Sequence, residues 1–298
     1  MSLSQGSTSC SPRMRTRTND EPSLEVSQVG CHMDKMLHDL IGRLDGDLCN
    51  STKVIPWSSP VPSFGDVSKS VIATLGVNPS NREFVDESGR ELDGPSRRHH
   101  TLTSLGLRKW SDVDAKHVTL IAEACRQYFS RNPYNVWFRA LDHVMSGAGV
   151  SYYGGLRRAC HLDLIPFATK CKWTDLTIRQ QASLLAVGGD TLAVLLRDSS
   201  IRVLILNGRT VVGHLQKVAN VEFQRTEMRQ WMLPRRSGLG VIGFAFRGTL
   251  TQLSGVDLER SIVVLGYNHN LQSSFGVTTS VKRAIAKWVC DEASEVIS

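Results

Sequence analysis

Val71-Ile72-Ala73-Thr74-Leu75-Gly76-Val77-Asn78-Pro79-Ser80 is the stretch on which the reading of this chain turns. A short β-branched apolar run stops abruptly in Gly-x-Asn-Pro-Ser; it is too brief for a lone helix and reads as a buried strand with a forced exit at its carboxyl end. In open α/β sheets that end is where ligands bind. A rigid strand and a restricted turn therefore deliver Asn78 to the place where chemistry would occur, although Asn-Pro also opens ordinary surface turns.

A second apolar run, residues 261–267, leads into Asn268-His269-Asn270-Leu271-Gln272-Ser273-Ser274 near the other end of the chain. Together the two stretches resemble the signature motifs of the uracil-DNA glycosylase superfamily, and the likeness extends over residues 54–290. In that family Gly-x-Asp/Asn-Pro positions the water that attacks the sugar, and a His-containing loop stabilises the departing base and enters the DNA. The resemblance implies Asn78 and His269 as catalytic residues and a three-layer α/β/α fold around a mostly parallel sheet. The second motif departs from the family, since His269 is followed by Asn270 where many members have Pro.

Cys160-His161-Leu162-Asp163-Leu164-Ile165-Pro166-Phe167-Ala168-Thr169 reads as another strand, ending at Pro166. The comparable strand of the superfamily carries an Asn whose amide reads a flipped uracil; Asp163 stands there instead. An amide can accept from uracil N3–H and donate to O4, whereas a carboxylate can only accept. Asp163 would lose the pairing with O4 but could accept from the exocyclic amine of cytosine. If N3 is protonated as well, both carboxylate oxygens are satisfied and the base becomes a better leaving group. The competing reading of Asp163 is a cap on the following turn.

Further site residues follow from the same reading. Gly76 and Ser80 would line the base pocket; uracil-specific relatives have a Tyr soon after Asp-Pro, and Ser80 leaves room for a C5 substituent. Phe84 is the candidate to stack on the flipped base, and Asn207 lies at the end of the strand predicted over residues 201–206. Arg97, Arg98 and Arg209 are candidate phosphate contacts. Leu271, Gln272 and Ser273 would meet the DNA, with Leu271 or Gln272 filling the vacated stack. His99 and His100 read as solvated loop histidines, because no carboxylate or cysteine stands at a ligand spacing around them.

Apolar spacing predicts helices over residues 33–44, 112–128, 134–145, 176–196 and 281–289, with Gly188-Gly189-Asp190 as a break and a new N-cap. Val241 to Phe246 reads as an edge or penultimate strand. Residues 221–240, with Arg225, Arg229, Arg235 and Arg236 around Trp231, read as a basic connection that could lie on a DNA backbone.

The 298 residues carry a net charge of +7, which favours a polyanionic partner. Residues 1–28 read as a disordered basic leader and 29–298 as a single domain. No apolar run reaches the length of a membrane span, so a membrane role is not expected. Seven cysteines without a Cys-x-x-Cys pair fit reduced thiols in a cytoplasmic protein, with neither metal nor cofactor expected. The resemblance thus leads to a monomeric, monofunctional DNA glycosylase acting on a flipped, C5-modified cytosine, such as glucosylated hydroxymethylcytosine of phage DNA, in antiphage defence. The alternatives are a uracil or mismatch repair glycosylase and a non-catalytic DNA-binding module on a glycosylase scaffold.

Overall fold

The computed structural model describes residues 1–2, 23–46, 48–235, 238, 240–272 and 275–297, without the side chains of 23–31 and 189. Its strands are β1 (Ser70–Gly76), β2 (Val150–Ser151), β3 (Arg157–Asp163), β4 (Val203–Asn207), β5 (Gln224–Leu233), β6 (Val241–Leu253) and β7 (Val256–Tyr267). Its α-helices are α1 (Ser23–Leu44), α2 (Leu48–Ser51), α3 (Leu102–Leu105), α4 (Ala115–Arg126), α5 (Asn135–Ser146), α6 (Ile178–Arg197), α7 (Arg209–Ala219) and α8 (Thr279–Ile297).

The strands form one sheet in the order β2-β3-β1-β4-β7-β6-β5. Pairing is parallel from β2 through β7, and β6 and β5 extend the sheet as an antiparallel pair. This is the expected α/β architecture with a mostly parallel sheet. The stretch 71–80 supplies β1, which lies between β3 and β4, and its apolar run is the consequence of burial on both faces.

Side chains alternate between two cores. Ala73, Leu75, Cys160, Leu162, Leu204 and Leu206 point into the one that takes in α1, α6 and α7. Ile72, Ala159, Val203, Ile205 and Leu265 point into the other, against α5 and α8. A period of two thus assigns every residue at the strand ends to a face before its contacts are considered.

Three expectations change. Of the leader, residues 3–22 lie outside the described residues, and the chain is already helical from Ser23. Residues 221–240 are no mere connection, for they contain β5, where Trp231 and Leu233 are buried while Arg225 and Arg229 face solvent. Helix α6 runs unbroken through Gly188. A Cβ at Gly188 would stand 2.5 Å from the Leu164 carbonyl oxygen and 3.0 Å from Ile165 Cα, so this glycine lets the helix approach the exit of β3.

Gly188→Ala sets two effects against each other. Alanine favours the helix by about 1 kcal/mol over glycine. The clash is with backbone, which cannot swing aside, and overpacking of this kind costs about 1–3 kcal/mol. We expect a net loss, read as a lower urea midpoint with an unchanged slope.

Candidate active site

The parallel strands bring their carboxyl ends to one edge. Gly76 pairs with Asp163, Leu75 with Leu206, and Asn207 with Tyr267, so the exits of β3, β1, β4 and β7 stand in a row. At a strand spacing of about 4.8 Å this row spans about 14 Å. By alternation Thr74, Gly76, His161, Asp163 and Asn207 share the face of Ile72 and Ile205, on the α5 and α8 side.

Gly76 and Asp163 set the tightest contact of the edge. A Cβ on Gly76 would lie 2.3 Å from Asp163 Oδ1 and 3.0 Å from His161 Nε2, so only glycine leaves room for the carboxylate. Asp163 is buried, and its Oδ1 lies 3.4 Å from His161 Nε2. His161 Nδ1 is 2.6 Å from Thr74 Oγ1, which also bonds the Tyr152 hydroxyl. Asp163, His161, Thr74 and Tyr152 form one buried polar chain. Among the described residues no backbone N–H of the turn after β3 donates to the Asp163 side chain; the backbone there is held by Leu164 N–H and Ile165 N–H donating to the Gly76 and Val77 carbonyls.

Asn78 is half-buried just past β1. Its Nδ2 donates to Thr169 Oγ1 at 3.0 Å and to the Pro79 and Phe167 carbonyls at 3.1 and 3.4 Å. The amide nitrogen thereby stitches the exit of β1 to that of β3, while the oxygen lies outside these bonds. Pro79 and Ser80 lead into a 3₁₀ turn, Asn81–Glu83, for which Ser80 is the cap, accepting from Arg82 N–H.

The far side of the edge is built differently. Asn207 is buried; its Oδ1 accepts from Leu271 N–H, and its Nδ2 donates to Gln272 Oε1. Gln272 Nε2 in turn donates to the Trp137 carbonyl. His269 is buried, and its Nε2 donates to the Trp231 carbonyl at 2.7 Å. Burial pushes its pKa below the usual histidine range, so the ring is neutral. Leu271 is packed in the core and does not project from the loop. Ser273 lies outside the described residues.

The segment after Asn78 holds groups that the sequence concealed. His99 and His100 are buried, against the expectation of solvated loop histidines. His99 stacks on Tyr128 at 5.1 Å and meets Phe64 edge-on, and neither ring nitrogen has a hydrogen-bond partner among the described residues. Its burial lowers the pKa to about 3. Glu83 is buried and accepts the hydroxyl of the same Tyr128 at 2.7 Å; burial raises its pKa to about 7. Phe84 is also buried, edge-on to Trp57 at 6.2 Å.

Among the candidate arginines, Arg98 serves the fold: Nε and Nη1 donate to the Asn132 and Arg82 carbonyls, and the guanidinium covers the Tyr134 ring. Arg97 is half-buried beside His100. Arg209 opens α7 and is exposed. The structure therefore joins Gly76, Asn78 and Asp163 at one end of the edge and Asn207, His269, Leu271 and Gln272 at the other. Period-two alternation placed His161 on the face of Asp163 and was available as a signal; nothing in the sequence marked Glu83, His99 or Tyr128 as one cluster. Two grooves among the described residues lie elsewhere: one between α1 and α6, where Arg43 and Asp190 pair at 2.9 Å, and one between the end of α5 and α8, lined by His143, Arg283 and Asp291.

The chain matches no model of a known protein family, and no curated protein sequence matches it.

Two buried groups bound the pH range of stability from opposite sides. Glu83 binds its proton more tightly folded than unfolded, so its contribution is complete below the usual 4.5 and is lost as pH rises through about 7. His99 contributes above the usual 6.5 and loses this as pH falls toward about 3. Urea denaturation should show Glu83→Gln more stable than wild type by about 3 kcal/mol near pH 8 and little changed near pH 4. His99→Phe, which removes two unpartnered nitrogens, should be more stable than wild type, and most so in acid.

Proposed function

We propose that this chain is a monofunctional DNA glycosylase that hydrolyses the N-glycosidic bond of an extruded cytosine modified at C5, leaving an abasic site. The observation that carries this reading is the joining of Asn78 and Asp163 at one strand edge, with Gly76 in register beside the carboxylate. A water-orienting amide and a base-reading acceptor belong side by side in such an enzyme. The parallel core in the order β3-β1-β4-β7 supports a uracil-DNA glycosylase-like version of the fold, and the net charge of +7 supports a DNA partner.

Asn78 takes no proton at neutral pH, so it orients the water through its oxygen while its nitrogen stays bound to the β3 exit. Positive charge grows on the sugar and negative charge on the base. Asp163 accepts from the amino group of the base, and His269 bonds the base O2. For that, the His269–Trp231 bond must be exchanged for one to the base as the loop receives DNA. A base leaves the stack at a cost of a few kcal/mol, recovered by these contacts. Glucosylated hydroxymethylcytosine of phage DNA is the substrate this reading favours, and antiphage defence the role.

A second reading has its own support. The enclosure of Asp163 and the engagement of His269 favour a non-catalytic DNA-binding module. Abasic-site formation on duplexes containing glucosylated hydroxymethylcytosine, hydroxymethylcytosine, cytosine or uracil separates the two. We expect abasic sites in the glucosylated duplex, a loss of about 10²–10³-fold in Asn78→Ala, and a shift toward uracil in Asp163→Asn. Binding without abasic sites in any duplex overturns the glycosylase reading. Release of uracil alone overturns the substrate.

A further inference from the structure

Phe275 is an aromatic ring 74% exposed to solvent, a short way along the chain from His269. Arg235, exposed just past β5, holds it in place. The guanidinium lies over the ring at 5.3 Å, and Nη1 donates to the Phe275 carbonyl at 3.2 Å. Gly276 sits against the end of β5, where a Cβ would stand 3.5 Å from the Pro234 carbonyl oxygen. Met232, Val241 and Ile242, at the facing ends of β5 and β6, are exposed as well. An exposed apolar tip rimmed by charge marks a surface that meets something.

This tip is tied to the candidate edge. Asn268 Nδ2 donates to the Ile242 carbonyl and Phe244 N–H donates to Asn268 Oδ1, each at 2.8 Å, while His269 Nε2 reaches the Trp231 carbonyl. The end of the β5–β6 hairpin and the start of the His269 loop are thus one unit. Leu271 and Gln272, the residues expected to fill the stack, are taken up elsewhere: Leu271 is buried, and Gln272 bonds Asn207 and the Trp137 carbonyl. Phe275 is the aromatic that remains outside.

Charge decides what meets it. The sequence has no Asp or Glu between Glu227 and Asp257, nor between Glu259 and Asp291, so the hairpin turn and the loop after β7 carry cations alone, Arg229 and Arg235 among them. A second copy of the chain would set these arginines against their like. A polyanion with flat apolar faces suits both halves of the surface, and DNA exposes such faces where a base has left the stack. We infer that Phe275 enters the DNA stack at the position of the extruded base, with Arg235 bracing its ring and meeting a flanking phosphate. The inference rests on the proposed DNA partner and on no chemical step. Phe275 is a positioning residue: it touches neither the scissile bond nor the departing base, and it keeps the gap from closing.

The test is binding of the full chain, as a function of salt, to a duplex with one stable abasic-site analogue and to the same duplex intact, with 2-aminopurine beside the gap. Wild type should prefer the gapped duplex and change the 2-aminopurine fluorescence. Phe275→Ala should bind the gapped duplex about 5- to 100-fold more weakly, without the fluorescence change, and Phe275→Trp should restore both. Arg235→Ala should lower the slope of log affinity against log salt by about 0.9. Phe275→Ala with the preference and fluorescence of wild type overturns the inference, as does a wild-type dimer that Phe275→Ala disperses while DNA binding stays unchanged. If the gapped duplex is bound as expected but no duplex loses a base, the glycosylase reading fails and this inference stands. Failure to bind either duplex overturns both. An unchanged urea midpoint in Phe275→Ala shows that the exposed ring is not needed for the fold.

Discussion

β1 and β3 can close on each other at their carboxyl ends because nothing but hydrogen projects from Gly76 toward Asp163. Any larger residue would push the carboxylate off His161 and break the line through Thr74 to Tyr152. It would also pull apart the exits that Asn78 ties together through Thr169 and the Phe167 carbonyl. The placement of the polar edge is thus set by backbone proximity, and the side chains follow from it.

In the segment after Asn78, burial drives an acid and a base the same way, toward the uncharged form. His99 is neutral because water cannot reach it, and Glu83 is drawn toward neutrality for the same reason, although their ordinary tendencies are opposite. Dehydration suppresses whichever form is charged. The aromatic wall of Phe64, Tyr128 and Phe138 supplies that dryness, with ring centroids 4.9 to 5.5 Å apart.

Much of this could be read from the chain beforehand, and the reasons are local. The apolar run before Gly76, the one before Asn268 and the alternation through His161 and Asp163 each encode a strand by period and composition. Their polar ends were therefore legible as one edge. Long-range contacts were not. Gly188 looked like a breaker because its propensity is local, while its purpose lies in the Leu164 carbonyl far away in sequence. His99 and Glu83 sit among charged and polar neighbours, and only the fold turns them inward. Arg98 likewise looked available for phosphate until two carbonyls claimed it.

The sheet also has two free margins, and their construction has a bearing on solubility. β2 has only two residues, too few to template the addition of another chain. β5 is longer, yet Arg225, Glu227 and Arg229 stud its exposed length, and the Arg225 guanidinium lies over the Phe244 ring at 4.8 Å, shielding an aromatic of the adjoining strand. A foreign strand docking there would have to strip these charges of water. The margin that the antiparallel hairpin creates is thereby made inhospitable to fibrous growth.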